Sequence, residues 1–449
     1  MLIISFLSVD LNAFTQYSAG IFPMGHEWIT RISIFDLLKN DPLDKMYKIR
    51  QNDPRANLPA SSRAKNTYLS TSDQAYLKKL KARLYRKEVG QIDFASQYDF
   101  IQSAIIGERW VDLAGINIIK DNTSSKLTGI SAFDVVAQEA SELQQDHFMR
   151  DFNDVGGIGG YNAAIRAQQR FIEQFVNAAM VNEERIRVWD GGAYALPQSV
   201  NYNYFLFGRA SHLFQDSFSP EHVVRTAEDG YQSVRQVRSY ICNKGSEQHS
   251  HVKKNILINF KSGDVIWRED KKHVSLDWKY YQMLNMKKIA LIATEANKDL
   301  WAAFIRTMNT TRSNRKKKAL AEAQQLVKNW LSINKQEAIT WYDNTDHRKS
   351  NYVLTGNEAD PKHGLKEDFC MRKVVQSKLS RKDKIKKTVK DRRTAVYNIV
   401  PTKGYNDKFD PYMRIPYFWA WRSADIFNYK KPPVTWRLPS PTDVDVKTI

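Results

Sequence analysis

Apolar residues recur at helical spacing along most of this chain of 449 residues. The spacing predicts helices at residues 25–38, 71–87, 94–106, 131–145, 161–181, 201–216, 276–308 and 316–333. A strand pattern occurs at residues 256–267, where two short apolar runs flank a polar turn that contains glycine. We therefore predict a mainly α-helical fold.

Glycine and proline mark the predicted breaks between these helices. Four glycines within residues 156–160 predict a flexible break before the helix at 161–181. Pro220 cannot continue a helical hydrogen-bond ladder, so it is expected to close the helix at 201–216. Beyond Thr345 the chain is irregular, basic and rich in proline. We therefore divide the chain into a helical domain at residues 20–310 and a basic, aromatic-rich C-terminal region at residues 311–449.

The charge balance is strongly basic. The chain has 68 Lys and Arg against 49 Asp and Glu, which gives a net charge of +19. A field of this sign attracts polyanions, either nucleic acid or an anionic membrane surface. Basic residues are concentrated at residues 372–393 and 315–318. Each cluster is either a solvated helix face or a surface that adsorbs to anionic lipid headgroups.

The sequence also contains signals that relate to membrane insertion and export. No run of about 20 apolar residues is present, so no membrane-spanning helix is predicted. Residues 1–9 are apolar but lack a basic start, and Asp10 interrupts them, which makes a poor signal peptide. The two cysteines, Cys242 and Cys370, can form at most one disulfide. If the protein is exported, we expect a non-classical route.

The candidate metal ligands are histidines and aspartates at helical spacing. His212 and Asp216 are four residues apart on a predicted helix, so they project from one face. His222 follows after Pro220, where a turn can bring it towards the same point. Histidine nitrogen and carboxylate oxygen are ligands that zinc favours. The same spacing also occurs in ordinary surface pairs, so the pair alone leaves both interpretations open.

The segment His212-Leu213-Phe214-Gln215-Asp216-Ser217-Phe218-Ser219-Pro220-Glu221-His222 resembles the central motif of the bacterial zinc-dependent phospholipases C. Those enzymes share their helical fold with the single-strand-specific zinc nucleases. Further parts of the family pattern occur in the same order along the chain, at His26, Asp112, His147, His273 and Asp277. The resemblance implies a multi-helix catalytic domain with insertions, followed by a less regular C-terminal part.

The resemblance implies three zinc ions, with Asp216 shared between the first two. The first set of ligands is Asp112, His147, His212 and Asp216, the second is His26 with Asp216, and the third is His222, His273 and Asp277. His249 and His251 alternate as on one face of a strand, so they compete for the third ion. Classical members complete the second site with an N-terminal tryptophan, but no tryptophan precedes His26 here. Asp112 is also the candidate general base.

The function implied by the resemblance is hydrolysis of phosphatidylcholine-type phospholipids to diacylglycerol and a phosphorylated headgroup. The substrate would be a membrane surface, and the protein would be a secreted virulence factor. Residues 245–251 favour the phospholipase branch over the alternative, a single-strand nuclease on the same scaffold. A non-catalytic membrane-binding protein with structural zinc is the third hypothesis.

Overall fold

The computed structural model describes residues 25–38, 53–83, 98–113, 145–150, 154, 156–190, 196–219, 222–237 and 288–344. Most of these residues form α-helices, so the predicted mainly α-helical fold is confirmed. The described helices are α1 (Gly25–Leu38), α2 (Thr71–Lys81), α3 (Asp99–Leu113), α4 (Gly156–Met180), α5 (Tyr202–Asp216), α6 (Lys288–Asn309), α7 (Arg312–Leu326) and α8 (Lys335–Asp343).

Two short antiparallel strand pairs accompany the helices. Strand β1 (Arg185–Asp190) pairs with β2 (Leu196–Asn201), with Arg185 opposite Asn201. Strand β3 (Val223–Val224) pairs with β4 (Gln236–Val237). Neither pair was predicted from the sequence. The predicted hairpin at residues 256–267 lies outside the described residues.

Helix α5 is the central element of the described core. All of its residues are buried, which is the pattern of a helix surrounded by other elements. Helices α1, α3, α4 and α6 all contact it. Phe207 of α5 stacks on Phe304 of α6 with ring centroids 4.2 Å apart, and it meets the edge of Trp301 at 4.6 Å. The residues of α5 that carry the candidate site therefore sit on a rigid support.

Local signals explain the ends of α5. The Asn201 side-chain oxygen accepts a hydrogen bond from the Tyr204 backbone N–H at 3.2 Å, which caps the helix start. The helix ends at Asp216, and Ser217 follows as its C-terminal cap. The predicted helix at 201–216 is therefore confirmed to within one residue.

Two glycines set the crossing of α3 and α5. A Cβ placed on Gly208 would lie 1.9 Å from the Ala104 carbonyl oxygen, and one on Gly107 would lie 1.9 Å from that of Phe205. The two backbones are therefore in direct contact, which only glycine allows at these positions. This crossing brings Glu108 of α3 beside Ser211 of α5, with oxygen atoms 2.8 Å apart.

The predicted flexible break at residues 156–160 is wrong. These residues form the first turns of α4, which runs without interruption from Gly156 to Met180. The glycines are needed for close contact: a Cβ on Gly160 would lie 1.4 Å from Gln236 Oε1, and one on Gly159 would lie 2.3 Å from the Asp154 backbone. Glycine is used here because neighbouring groups occupy the space of a side chain.

Other predicted helix ends also need correction. Helix α2 ends at Lys81 rather than at residue 87. Helix α3 begins at Asp99 rather than at residue 94 and continues to Leu113. Helix α7 begins at Arg312, four residues before the predicted start. Most of the predicted helix at 131–145 lies outside the described residues.

The predicted basic cluster at residues 315–318 is only partly a solvated face. Arg315 is buried, donates to the Met308 carbonyl oxygen at 3.0 Å and forms an ion pair with Glu183. Lys318 pairs with Glu322 at 2.8 Å. Helix α7 follows the predicted boundary at residue 311, and its buried apolar residues belong to the same hydrophobic core as those of α4 and α6. None of the described helices has the length and apolar character that crossing a bilayer requires.

Candidate metal centre

The carboxylate of Asp216 lies at the centre of four imidazole rings. Asp216 Oδ2 is 3.0 Å from His212 Nε2, 3.1 Å from His147 Nδ1 and 3.6 Å from His222 Nδ1. Asp216 Oδ1 faces the fourth ring and lies 3.4 Å from His26 Nε2. Five of the residues predicted from the sequence are therefore brought together, and both carboxylate oxygens face imidazole nitrogens.

Different elements supply these side chains. His26 lies in the first turn of α1, while His212 and Asp216 lie one turn apart at the end of α5. His222 follows two tight turns, in which Ser219 N–H donates to the Asp216 carbonyl and His222 N–H donates to that of Ser219. This path returns the chain towards the end of α5.

His147 is supplied by a short helical turn at residues 145–147. The next residue, Phe148, has a φ of 53°, a left-handed conformation that costs an aromatic residue about 1–3 kcal/mol. Its ring is fully buried, and packing of this kind compensates the strain. The turn directs the His147 carbonyl oxygen at His222 Nδ1, 2.6 Å away.

The donor atoms have the spacing of a tetrahedral metal site. His147 Nδ1, His212 Nε2 and Asp216 Oδ2 form a triangle with sides of 3.0, 3.1 and 3.3 Å. Zinc–nitrogen bonds of about 2.0–2.1 Å in a tetrahedron separate ligand atoms by about 3.3 Å. Donor atoms of His26, His212 and Asp216 also lie within 4.8 Å of one another, and all three residues are buried. The described residues therefore fit a bound metal ion.

Hydrogen bonds indicate where two of the four rings, His222 and His26, carry their protons. A carbonyl oxygen can only accept, so His222 Nδ1 donates to the His147 backbone and the lone pair of His222 is at Nε2. His26 Nδ1 lies 2.8 Å from Gln215 Oε1, so its lone pair is also at Nε2, the atom that faces Asp216. The nearer nitrogen of His222, Nδ1, carries a proton and therefore cannot be a further ligand beside the three donor atoms.

Burial sets the charges of the site. The pKa of His212 is lowered to about 3, mainly by burial and to a smaller extent by the neighbouring His26 ring. Burial also lowers the pKa of His222. Burial alone would raise the pKa of Asp216, but the His222 and His212 imidazoles hold it well below its ordinary value. Neutral imidazoles around an ionised carboxylate are the protonation states that bind a cation.

Other predicted ligands fall at the edge of the described structure or outside it. Asp112 lies in the last turn of α3, four residues after Glu108, but its side chain is not among those described. The competing candidates for a third ion all lie outside the described residues, namely His249, His251, His273 and Asp277. Those assignments stay predictions.

Two buried polar residues behind the site were not predicted from the sequence. Gln215 precedes Asp216 within the motif, and its oxygen contacts His26. Glu108 precedes Asp112 by one turn and is fully buried, and burial raises its pKa to about 7. All residues of α5 are buried, so its polar side chains must find hydrogen-bond partners inside the protein. That requirement could have identified Gln215 as a residue with buried polar partners.

A half-buried arginine holds the segment that follows His222. Arg225 donates to the backbone carbonyls of Ser217 and Gln232, each at 2.7 Å, and to that of Trp330 at 2.7 Å. Its guanidinium also lies over the Phe218 ring at 4.1 Å. Arg225 thus links the end of the motif to the segment after α7.

Comparison with known proteins identifies a relative but no family model. No model of a protein family matches the chain, and no solved structure matches it. The chain is 43% identical to hemolysin-1 of Aeromonas salmonicida over 97% of its own length and 75% of that protein's length. Because this identity extends over nearly the whole chain, the chain belongs to the family that includes hemolysin-1 of Aeromonas salmonicida.

Proposed function

We propose that this protein is a zinc-dependent phospholipase C that damages membranes by hydrolysing phosphatidylcholine-type lipids. The products would be diacylglycerol and a phosphorylated headgroup. The observation that carries the proposal is the Asp216 carboxylate with His26, His147, His212 and His222 around it. These five are the residues whose side chains the structure describes in the pattern that resembles the zinc-dependent phospholipases C.

The donor set supports zinc as the metal. Imidazole nitrogens and one carboxylate at tetrahedral spacing suit zinc, whereas calcium and magnesium prefer sites built from oxygen. Bound zinc would act as a Lewis acid towards the phosphoryl group. The protein supplies a buried site, in which His212 is neutral and both carboxylate oxygens of Asp216 lie next to imidazole nitrogens. Three ions remain the proposed number.

Asp112 is the proposed general base. It lies in the last turn of α3, and α3 contacts α5 through the Gly107 and Gly208 crossing. A carboxylate near bound zinc stays ionised, which suits proton abstraction from water. His273 and Asp277, or else His249 and His251, would complete the site around His222.

The relative's name supports a lipid substrate. A hemolysin is a protein that lyses red blood cells, and loss of phospholipid headgroups from a membrane is one chemical route to lysis. We extend this activity to the present chain and propose that it is secreted and acts at membrane surfaces. The same name makes a nuclease the weaker alternative, although the net charge of +19 suits either polyanion.

The test compares two substrates with and without metal. We expect purified protein to release phosphorylcholine from phosphatidylcholine vesicles, to stop when zinc is chelated, and to recover when zinc is returned. Asp112→Asn should abolish release and keep the helical circular dichroism signal, whereas Asp343→Asn, at the exposed end of α8, should change neither.

Three results would contradict the proposal. Phosphorylcholine release that persists with chelator would exclude the metal mechanism. Full activity of the Asp112→Asn variant would exclude the proposed base. Cleavage of single-stranded DNA without phosphorylcholine release would assign the scaffold to the nuclease activity instead.

A further inference from the structure

A buried polar network lies behind His26, where four helices meet. Each member is fully buried, and each hydrogen bonds to at least one other member. We call it the relay and define it as Thr30 of α1, Glu108 of α3, Ser211 and Gln215 of α5, and Asn297 of α6. None of these residues has a role in the proposed reaction.

The acceptor at the end of the relay is Glu108 Oε1. The Thr30 hydroxyl donates to it, and so does the Ser211 hydroxyl at 2.8 Å. The Gln215 amide nitrogen also lies 3.1 Å from the same oxygen. A carboxyl oxygen that receives three donors fixes the direction of the hydrogen bonds around it.

This direction determines which end of the Gln215 amide faces His26. Gln215 Nε2 lies 2.8 Å from Thr30 Oγ1 and 3.0 Å from Ser211 Oγ, whose hydrogens are both directed at Glu108. Every neighbour on that side therefore accepts, so the NH₂ group belongs there. Gln215 Oε1 is left to face His26 Nδ1 at 2.8 Å.

The amide in turn determines the proton position on His26. Facing a carbonyl oxygen, Nδ1 must carry the hydrogen, which leaves the lone pair on Nε2, 3.4 Å from Asp216 Oδ1. With the amide reversed, the ring would carry its hydrogen on Nε2, where it would point at Asp216. That tautomer would place a proton where a metal ion has to bind.

We propose that Gln215, oriented by Glu108, is a positioning residue that holds His26 in its metal-binding tautomer. This inference rests on the proposed function only in taking zinc as the metal that His26 and Asp216 bind. Partners behind a metal-binding histidine typically change metal affinity by 10–100-fold. The motif thus contains the ligand Asp216 and, one residue before it, Gln215, which sets the tautomer of a second ligand, His26.

The first test is zinc affinity, measured by competition with a chromogenic chelator. We expect Gln215→Met to weaken zinc binding by about 10–100-fold, because the His26 Nδ1–H loses its acceptor. Gln215→Glu keeps an oxygen opposite His26 and should retain more affinity than Gln215→Met. Gln102→Met is the matched control, since Gln102 of α3 is also buried and its side-chain oxygen accepts no hydrogen bond from the described residues.

The second test reads the tautomer directly in metal-free protein. With ¹⁵N-labelled histidine, the His26 signals, assigned by their loss in His26→Asn, should show Nδ1 protonated in the wild type. In Gln215→Met the nitrogen shifts should move towards a mixture of the two tautomers. Gln102→Met should give the wild-type shifts.

The outcomes separate this inference from the proposed function. If the wild type binds zinc and Gln215→Met binds it equally well, the inference is overturned and the proposed function stands. If the wild type binds no zinc, the proposed function fails. The nitrogen shifts of the metal-free protein alone then decide whether Gln215 sets the tautomer of His26. An Nδ1 without a proton in the wild type would overturn the inference in either case.

Discussion

The crossing of α3 and α5 provides a quantitative prediction for Gly208→Ala. A Cβ at this position would lie 1.9 Å from the Ala104 carbonyl oxygen, whereas real Cβ contacts stay above 3.0 Å. The two backbones must therefore separate by about 1.1 Å, because neither a helical carbonyl nor a helical Cβ can rotate away. Overpacking of this kind costs about 1–3 kcal/mol, and a clash between backbones belongs at the upper end.

The same displacement should reach the metal centre. Helix α3 carries Glu108 and Asp112, while α5 carries His212 and Asp216. A shift of about 1 Å between catalytic groups can lower a rate by about 100-fold. We therefore expect Gly208→Ala to weaken zinc binding and phosphorylcholine release as well as stability.

Urea denaturation and chelator competition would measure the two effects on the same variant. Gly230→Ala is a matched control, since Gly230 has a φ of 69° and a Cβ there would lie 2.6 Å from Ser62 Oγ. That variant should lose stability but keep its zinc affinity, because the three atoms nearest to a Cβ at Gly230 belong to Ser62, Ser61 and Pro59. Unchanged stability in Gly208→Ala would refute the packing argument. Lost stability with wild-type zinc affinity would refute the link between the crossing and the site.

Three further predictions concern titratable or charged side chains. Arg225→Met should lower the free energy of unfolding by about 3 kcal/mol, because several carbonyls lose their donor, and urea titration would measure this. Metal-free protein should lose stability as the pH falls from about 6.5 towards 3, because the pKa of His212 is lowered to about 3 in the folded state and the ring binds a proton only after unfolding. Thermal melts in chelator would measure this loss. They would show no such pH dependence if the ring were protonated in the folded state. Burial raises the pKa of Glu108 from 4.5 to about 7, so its protonated form stabilises the fold below about pH 4.5 and this stability is lost as the pH rises through 7. Glu108→Gln should therefore reduce the difference between melts at pH 5 and pH 8.

Helical periodicity predicted the central helix, and the residue spacing placed His212 and Asp216 on one face of it. The spacing of His212 and Asp216 requires only that α5 be a helix, and the Asn201 cap is a local signal. Predicting that His26 and His147 reach the same carboxylate needed the family resemblance, because no local pattern joins residues so far apart in sequence.

The errors came from residues whose role depends on tertiary contacts. The glycines of α4 indicated flexibility by composition, but they serve close packing against Gln236 and Asp154. Arg315 was expected in a solvated cluster and is instead buried against Glu183. Gln215 was visible in the motif, yet its role depends on Glu108, which lies more than 100 residues earlier in the sequence. Such partners cannot be inferred from periodicity.

The most direct test of the account is the zinc content of the purified protein, measured by elemental analysis after zinc loading and dialysis. The wild type should hold more than one zinc ion per chain, and Asp216→Asn, which removes the charge shared by the four imidazoles, should lose most of it. A wild type without zinc, or an Asp216→Asn variant with the same zinc content, would contradict the metal centre.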